Sequence, residues 1–191
     1  MSLVVLITFE KNGSELEKRL KEYDIFFERV DIDDVDQFLK TNCINIKVFI
    51  LSGSTRRILR DGIHPSIDRI LKMPTPVIGV CYGFQYMAMR SGGTLKDGGE
   101  TSITNANLVK MVEYGGKKRK VNVWTSHHDN VLNLPKNVVD KNTHIKALWD
   151  IDFAIDDSIY MAHTDKWVGF QFHPEYKKKS FEDFILPFVL G

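Results

Sequence analysis

Three runs in this chain, Leu3 to Thr8, Ile46 to Leu51 and Val77 to Val80, are continuously apolar and rich in β-branched residues, with no polar face to turn toward water. A strand of that kind has to be covered on both sides, and a parallel sheet between layers of helix does this. The intervening stretches supply the helices. Lys11-Asn-Gly-Ser is a turn that leads into a charged helical segment from Glu15 to Lys21, and Val35 to Lys40 and Ser66 to Leu71 read as further short helices. Phe26 to Ile32 and Trp167 to Phe172 complete the strand set. The alternation predicts an α/β fold with a mostly parallel central sheet and helices on both faces.

Beyond Gly93 the texture changes to shorter, alternating runs with turn signals, notably Gly115-Gly116-Lys-Lys-Arg-Lys between two strands. That pattern predicts a smaller antiparallel, hairpin-rich part. Ser180 to Leu190 reads as a closing amphipathic helix that Pro187 is expected to kink or cut short. No repeat, low-complexity tract or linker marks a boundary, so residues 1–191 are expected to form a single domain.

Composition excludes several function classes. Lysine and arginine (26) nearly balance aspartate and glutamate (25), so the field that would draw nucleic acid or an anionic membrane is missing, and neither partner is expected. Only Cys43 and Cys81 are present, too few for a disulfide framework, which points to a reducing, cytoplasmic compartment. The apolar start lacks a basic leader and is too short to span a bilayer.

The segment most informative about chemistry is Val77-Ile-Gly-Val-Cys-Tyr-Gly-Phe-Gln85, a buried strand running directly into a helix with a cysteine at the turn. Gly79 and Gly83 flank Cys81 in a G-x-C-x-G pattern. A strand-to-helix elbow that sharp leaves no room for side chains beside the nucleophile. The helix N-terminus behind it offers free N–H groups and a positive dipole end that favour thiolate over thiol. Read in isolation, the segment leaves a buried structural cysteine as the alternative to a nucleophile.

A thiolate that attacks an amide needs an acid to protonate the departing amine, and histidine is suited to it. Of six histidines, His173 stands out: it follows the apolar run Gly169-Phe-Gln-Phe and precedes Pro174, which biases it to an extended conformation. In an extended chain residues two apart share a side, so Glu175 can orient the His173 ring and supply the third member of a Cys-His-acid arrangement.

These residues resemble the class I, or triad, glutamine amidotransferases, which share the elbow Gly79-Val-Cys-Tyr-Gly-Phe-Gln85 and the Phe172-His-Pro-Glu175 segment. The resemblance covers nearly the whole chain, and Ser52-Gly53-Ser54 is similar to the family's glycine-rich oxyanion loop. It implies a flavodoxin-like fold and hydrolysis of glutamine to glutamate and ammonia through a thioester on Cys81. It also implies an oxyanion hole of backbone N–H groups at Gly53, Ser54 and Tyr82, with glutamine contacts from Gln85, Ser126 and His127. Trp124-Thr-Ser-His-His-Asp-Asn-Val131 looks like the Trp-x-Ser-His-Gly-Asp segment of GMP synthetase amidotransferase domains, which implies a role in purine biosynthesis.

Two departures from the pattern carry expectations of their own. The family loop reads Ser-Gly-Gly-Pro, whereas here Ser54 and Thr55 follow Gly53, and a serine tolerates positive φ poorly. Misalignment of the hole is therefore expected in the free protein. His128 stands where that subgroup has glycine and is expected to put a ring beside the glutamine site. Adjacent His127 and His128 point to opposite faces of an extended segment and do not chelate one ion, so no metal is expected. Lys117-Lys-Arg-Lys120 reads as a solvated hairpin tip, and Arg56 and Arg57 as rim residues of the site.

No G-x-x-x-x-G-K-[ST] or G-x-G-x-x-G loop is present, and no cofactor is expected. The resemblance then implies that ammonia passes to a separate ATP-dependent synthetase. Two alternatives remain open from sequence: a catalytically weak homologue acting as a binding or regulatory module, and a cysteine hydrolase of other γ-glutamyl compounds.

Overall fold

The computed structural model describes residues 2–10, 12–41, 45–98, 103–114, 117–136, 145, 147–155 and 157–191, with only the backbone at 103–108, 110–114, 117–119 and 121. Cys43 lies outside the described residues. In the first half, β1 (Leu3–Thr8), α1 (Ser14–Glu22), β2 (Phe27–Asp31), α2 (Val35–Thr41) and β3 (Ile46–Leu51) alternate as expected. They are followed by α3 (Ile58–Asp61), α4 (Ser66–Leu71), β4 (Val77–Val80) and α5 (Tyr82–Arg90). The second half holds β5 (Thr94–Asp97), β6 (Ile103–Tyr114), β7 (Lys117–His127), β8 (Asp129–Asn133), β9 (Asp150–Ile155), β10 (Ser158–His163) and β11 (Trp167–Phe170). Two helices close the chain, α6 (Lys178–Phe184) and α7 (Leu186–Leu190).

Seven strands form the central sheet in the order β2-β1-β3-β4-β11-β10-β9. The pairs from β2 through β11 are parallel, and β10 is antiparallel to both its neighbours. Every residue of β1 is buried, and the strand's period of two divides it between faces. Leu3, Val5 and Ile7 join Val35, Phe38, Ile67, Ile70 and Phe84 from α2, α4 and α5 on one side. Val4 and Leu6 meet Leu16 and Leu20 of α1 and Phe181 of α6 on the other. Each such side chain contributes about 1.5–3 kcal/mol by leaving water. The expected α/β architecture, with helix on both faces and a small antiparallel part, is the one observed.

Three local expectations change. The strand expected to run to Phe172 stops at Phe170. The closing helix is two helices joined at Ile185, with Pro187 inside the first turn of the second; a proline has no N–H and its ring clashes with the carbonyl four residues back, so it begins a helix rather than continuing one. Lys117 to Lys120 belong to strand β7, in register with Glu113 and its neighbours on β6, rather than to the hairpin tip.

The carboxyl ends of β1, β3, β4 and β11 all open on one side. In an open parallel sheet the crevice outside those ends, where strand order reverses between β1 and β3, is the place where ligands bind.

Candidate active site

Cys81 occupies the turn between β4 and α5 with φ 50° and ψ −103°, a positive-φ conformation that costs a residue with a side chain about 1–3 kcal/mol. Its amide donates to the Phe170 carbonyl at 2.6 Å, which ties the elbow to β11. The flanking glycines are required by contact. A Cβ at Gly83 would lie 2.5 Å from the Leu51 carbonyl oxygen, and one at Gly79 2.4 Å from Met87 Sδ. The Tyr82 amide is among the first of α5, which have no acceptor within the helix. The Cys81 thiol faces the Ser126 carbonyl at 3.6 Å.

His173 reaches the same place from β11. Its amide donates to the Trp124 carbonyl at 2.7 Å, so β7 holds the backbone of the segment. The ring Nδ1 is 2.8 Å from Glu175 Oε1, which leaves Nε2 as the nitrogen free for chemistry. Glu175 gets there by a 3₁₀ turn over Pro174–Tyr176 and not by extended spacing; the turn folds the carboxylate back under the ring. Burial opposes a charge on His173, but the Glu175 carboxylate and the Cys81 sulfur outweigh it and hold the imidazole well above its ordinary value. Arg19 of α1 secures the turn, donating through Nε to the Glu175 carbonyl at 2.9 Å and through Nη2 to that of Tyr176 at 3.4 Å.

Gly53 packs against both groups: a Cβ there would come within 2.9 Å of His173 Cε1 and 3.6 Å of Cys81 Cβ. A cavity of about 220 Å³ opens here, lined by Gly53, Ser54, Ser126 and His173 and walled by Trp124 and Tyr176. The two aromatic rings stack at 5.8 Å. Gly13 and Ser14, just before and at the start of α1, also line it, so the cavity sits where β1 and β3 diverge.

Ser54 does not adopt positive φ, so the strain expected there is absent. Of the expected glutamine contacts, Ser126 lines the cavity, whereas the Gln85 amide is committed to the Asp129 carbonyl at 2.7 Å inside the protein. The His127 ring is buried against Tyr160, with no hydrogen-bond partner on either nitrogen. Burial, reinforced by the nearby His173, pushes it down to about 4, so it is neutral near pH 7. His128 is exposed and is not among the residues that line the cavity, contrary to expectation. Arg56 and Arg57 are not open rim cations: they pair with Glu10 and with Asp97 and Asp129 respectively.

Sequence reasoning missed three neighbours of the site, Arg19, Tyr176 and Gln171, and gave no role to Asp129 within the segment Trp124 to Val131. Gln171 is fully buried with Nε2 4.0 Å from the Cys81 sulfur. Its signal was a lone amide inside the apolar run before His173. Arg19 and Tyr176 sit in ordinary charged or loop contexts that mark nothing.

Among the described residues no three or more His, Cys, Asp or Glu side chains are grouped to hold a metal ion, and no helix is long and apolar enough to cross a membrane. The model of the family glutamine amidotransferase class-I matches residues 6–189. A GMP synthase (glutamine-hydrolyzing) from Bacillus licheniformis is 27% identical over 195 residues, covering 99% of this chain and 36% of the relative. The chain thus spans about a third of the length of the curated relatives it matches. Two crystal structures share the fold. One is a GMP synthase subunit from Thermoplasma acidophilum (TM-score 0.72, 18% identity, 99% of this chain and 92% of that one), and the other a Thermotoga maritima glutamine amidotransferase (TM-score 0.66, 18% identity, 98% and 82%).

Proposed function

The chain belongs to the class-I glutamine amidotransferase family, and from that premise we propose that it hydrolyses glutamine with Cys81 as nucleophile, His173 as proton carrier and Glu175 as the group that orients His173. The observation that carries the reading is the strained Cys81 at the elbow beside an imidazole bound at 2.8 Å to a buried carboxylate. The sulfur attacks the side-chain amide carbon and forms a tetrahedral intermediate. Its oxyanion is received by the amides of Gly53 or Ser54 and of Tyr82, donors of a kind worth about 2.7–4 kcal/mol each. His173 gives its proton to the nitrogen, ammonia leaves, and a γ-glutamyl thioester remains on Cys81. Water, deprotonated by the now neutral His173, attacks the thioester and releases glutamate.

The ammonia goes to a separate ATP-dependent synthetase, and the GMP synthase relatives support GMP synthesis as the use. Purified protein alone is expected to release glutamate and ammonia in equal amounts from glutamine, and with a GMP-forming synthetase, ATP and its acceptor to release glutamate while the amide nitrogen is recovered in GMP. Cys81→Ala should lower that rate at least about a thousandfold. Turnover of γ-glutamyl peptides without turnover of glutamine, or glutamine turnover unaffected by Cys81→Ala, overturns the reading.

A further inference from the structure

The loop after β3 keeps Gly53 but has Ser54 and Thr55 where the family pattern has a second glycine and a proline. Proline stiffens a loop by fixing φ and reducing the freedom of the open chain. In its place the structure has side-chain ties. The Thr55 hydroxyl donates to Glu10 Oε2 at 2.7 Å, and Arg56 Nε donates to Glu10 Oε1 at 2.9 Å. The Arg56 amide donates to Ser54 Oγ at 3.0 Å. One residue on, Arg57 donates to Asp129 Oδ1 through Nε at 3.2 Å and Nη2 at 2.9 Å, and the Leu59 amide to Oδ2 at 3.3 Å.

The two ends differ in character. Asp129 is 1% exposed, with its carboxylate paired to a partly buried Arg57 and its carbonyl accepting from Gln85. Glu10 is 39% exposed and sits just beyond β1 at φ 52°, a conformation unfavourable to a residue with a Cβ. The hydrogen bond from Thr55, followed by that from Arg56, holds the Glu10 carboxyl below its ordinary value. The backbone is thus bent in an unfavourable direction at the point where the carboxylate meets the loop.

We propose that Glu10 is a positioning residue of the oxyanion loop: by holding Thr55 and Arg56 it sets the direction of the Gly53 and Ser54 amides, with Arg57 and Asp129 anchoring the far end. The inference rests on the proposed role of those amides in glutamine hydrolysis. A tie between the loops after β1 and β3 spans the reversal in strand order, so it fixes one wall of the cavity relative to the other.

The test uses Glu10→Ala and Glu10→Gln in the full chain, read by kcat, KM, melting temperature and backbone hydrogen exchange at residues 53–57. Amides that point correctly matter to the transition state more than to bound glutamine. Glu10→Ala is therefore expected to lower kcat about ten- to a hundredfold with KM changed less than about threefold. Exchange in the loop should rise at an unchanged melting temperature, and Glu10→Gln, which keeps an acceptor for Thr55, should fall between. Wild-type kcat and exchange in Glu10→Ala, or a kcat that falls only as folded protein is lost, overturns the proposal. Exchange is readable without turnover. A wild type inactive on glutamine whose loop exchange still accelerates in Glu10→Ala keeps the tie and rejects the glutaminase reading.

Discussion

His127 and His173 share a site and are driven in opposite directions by their surroundings. His173 has a carboxylate and a sulfur beside it and is raised; the stability it contributes is present below the unfolded value near 6.5 and is withdrawn as pH rises through its folded value. His127 is lowered to about 4 by burial and by the nearby His173, which outweigh the opposing pull of Asp129. Its contribution is present above about 6.5 and is lost as pH falls toward 4, amounting to about 3 kcal/mol. Urea titrations at pH 7 and pH 4.5 should show a smaller loss for His127→Gln than for the parent; equal losses would sink this account. His173 was legible as the candidate proton carrier because Pro174 and Glu175 follow it. The burial of His127 was not, since nothing in Trp124-Thr-Ser-His-His-Asp says which of two adjacent rings faces inward.

Among the elements, α1 serves the site without touching the Cys81 sulfur. Leu16 and Leu20 seat it against the sheet, which brings Arg19 under the Pro174–Tyr176 turn. The guanidinium is 11% exposed, and hydrogen bonds to such a charged group are worth about 1.5–3 kcal/mol. Arg19→Met is expected to cost about that much in chemical denaturation and to lower turnover of glutamine more than Arg19→Lys does. A variant with the stability loss but parental kcat would show that the turn holds Glu175 unaided. The strands and helices of the first half were readable from apolar runs and turn residues because their boundaries depend on local chemistry. The turn at Pro174 was misread as extended because a proline's effect on its predecessor is local, whereas the carbonyl acceptors that stabilise a fold-back belong to the tertiary structure.

Across the whole molecule, the elbow is a packing problem as much as a chemical one. Phe84 on α5 is fully buried, fills the space over Gly169 of β11 and meets Trp149 edge-on at 5.8 Å. It joins the helix behind Cys81 to the strand that leads to His173. Phe84→Ala is expected to destabilise by about 3–5 kcal/mol and to broaden the Cys81 and His173 geometry, so that thermal unfolding and glutamine turnover fall together. A variant within about 1 kcal/mol of the parent would mean the surroundings collapse to fill the gap.

The α/β class, the elbow at Cys81 and the pairing of His173 with Glu175 could be read from the chain alone, because apolar runs, flanking glycines and a proline act over a few residues and leave a local trace. Which segments close the site was settled by folding. Arg19, Glu10, Asp129 and Tyr176 are each far in the chain from their partners, which are backbone carbonyls, a loop hydroxyl and guanidinium, a second guanidinium and an aromatic ring brought near by sheet order. The loop at Ser54 and Thr55 illustrates the difference. Read alone it lacks the residues that stiffen such a turn; folded, it is held by a carboxylate from the neighbouring strand end, and that contact exists only once β1 lies beside β3.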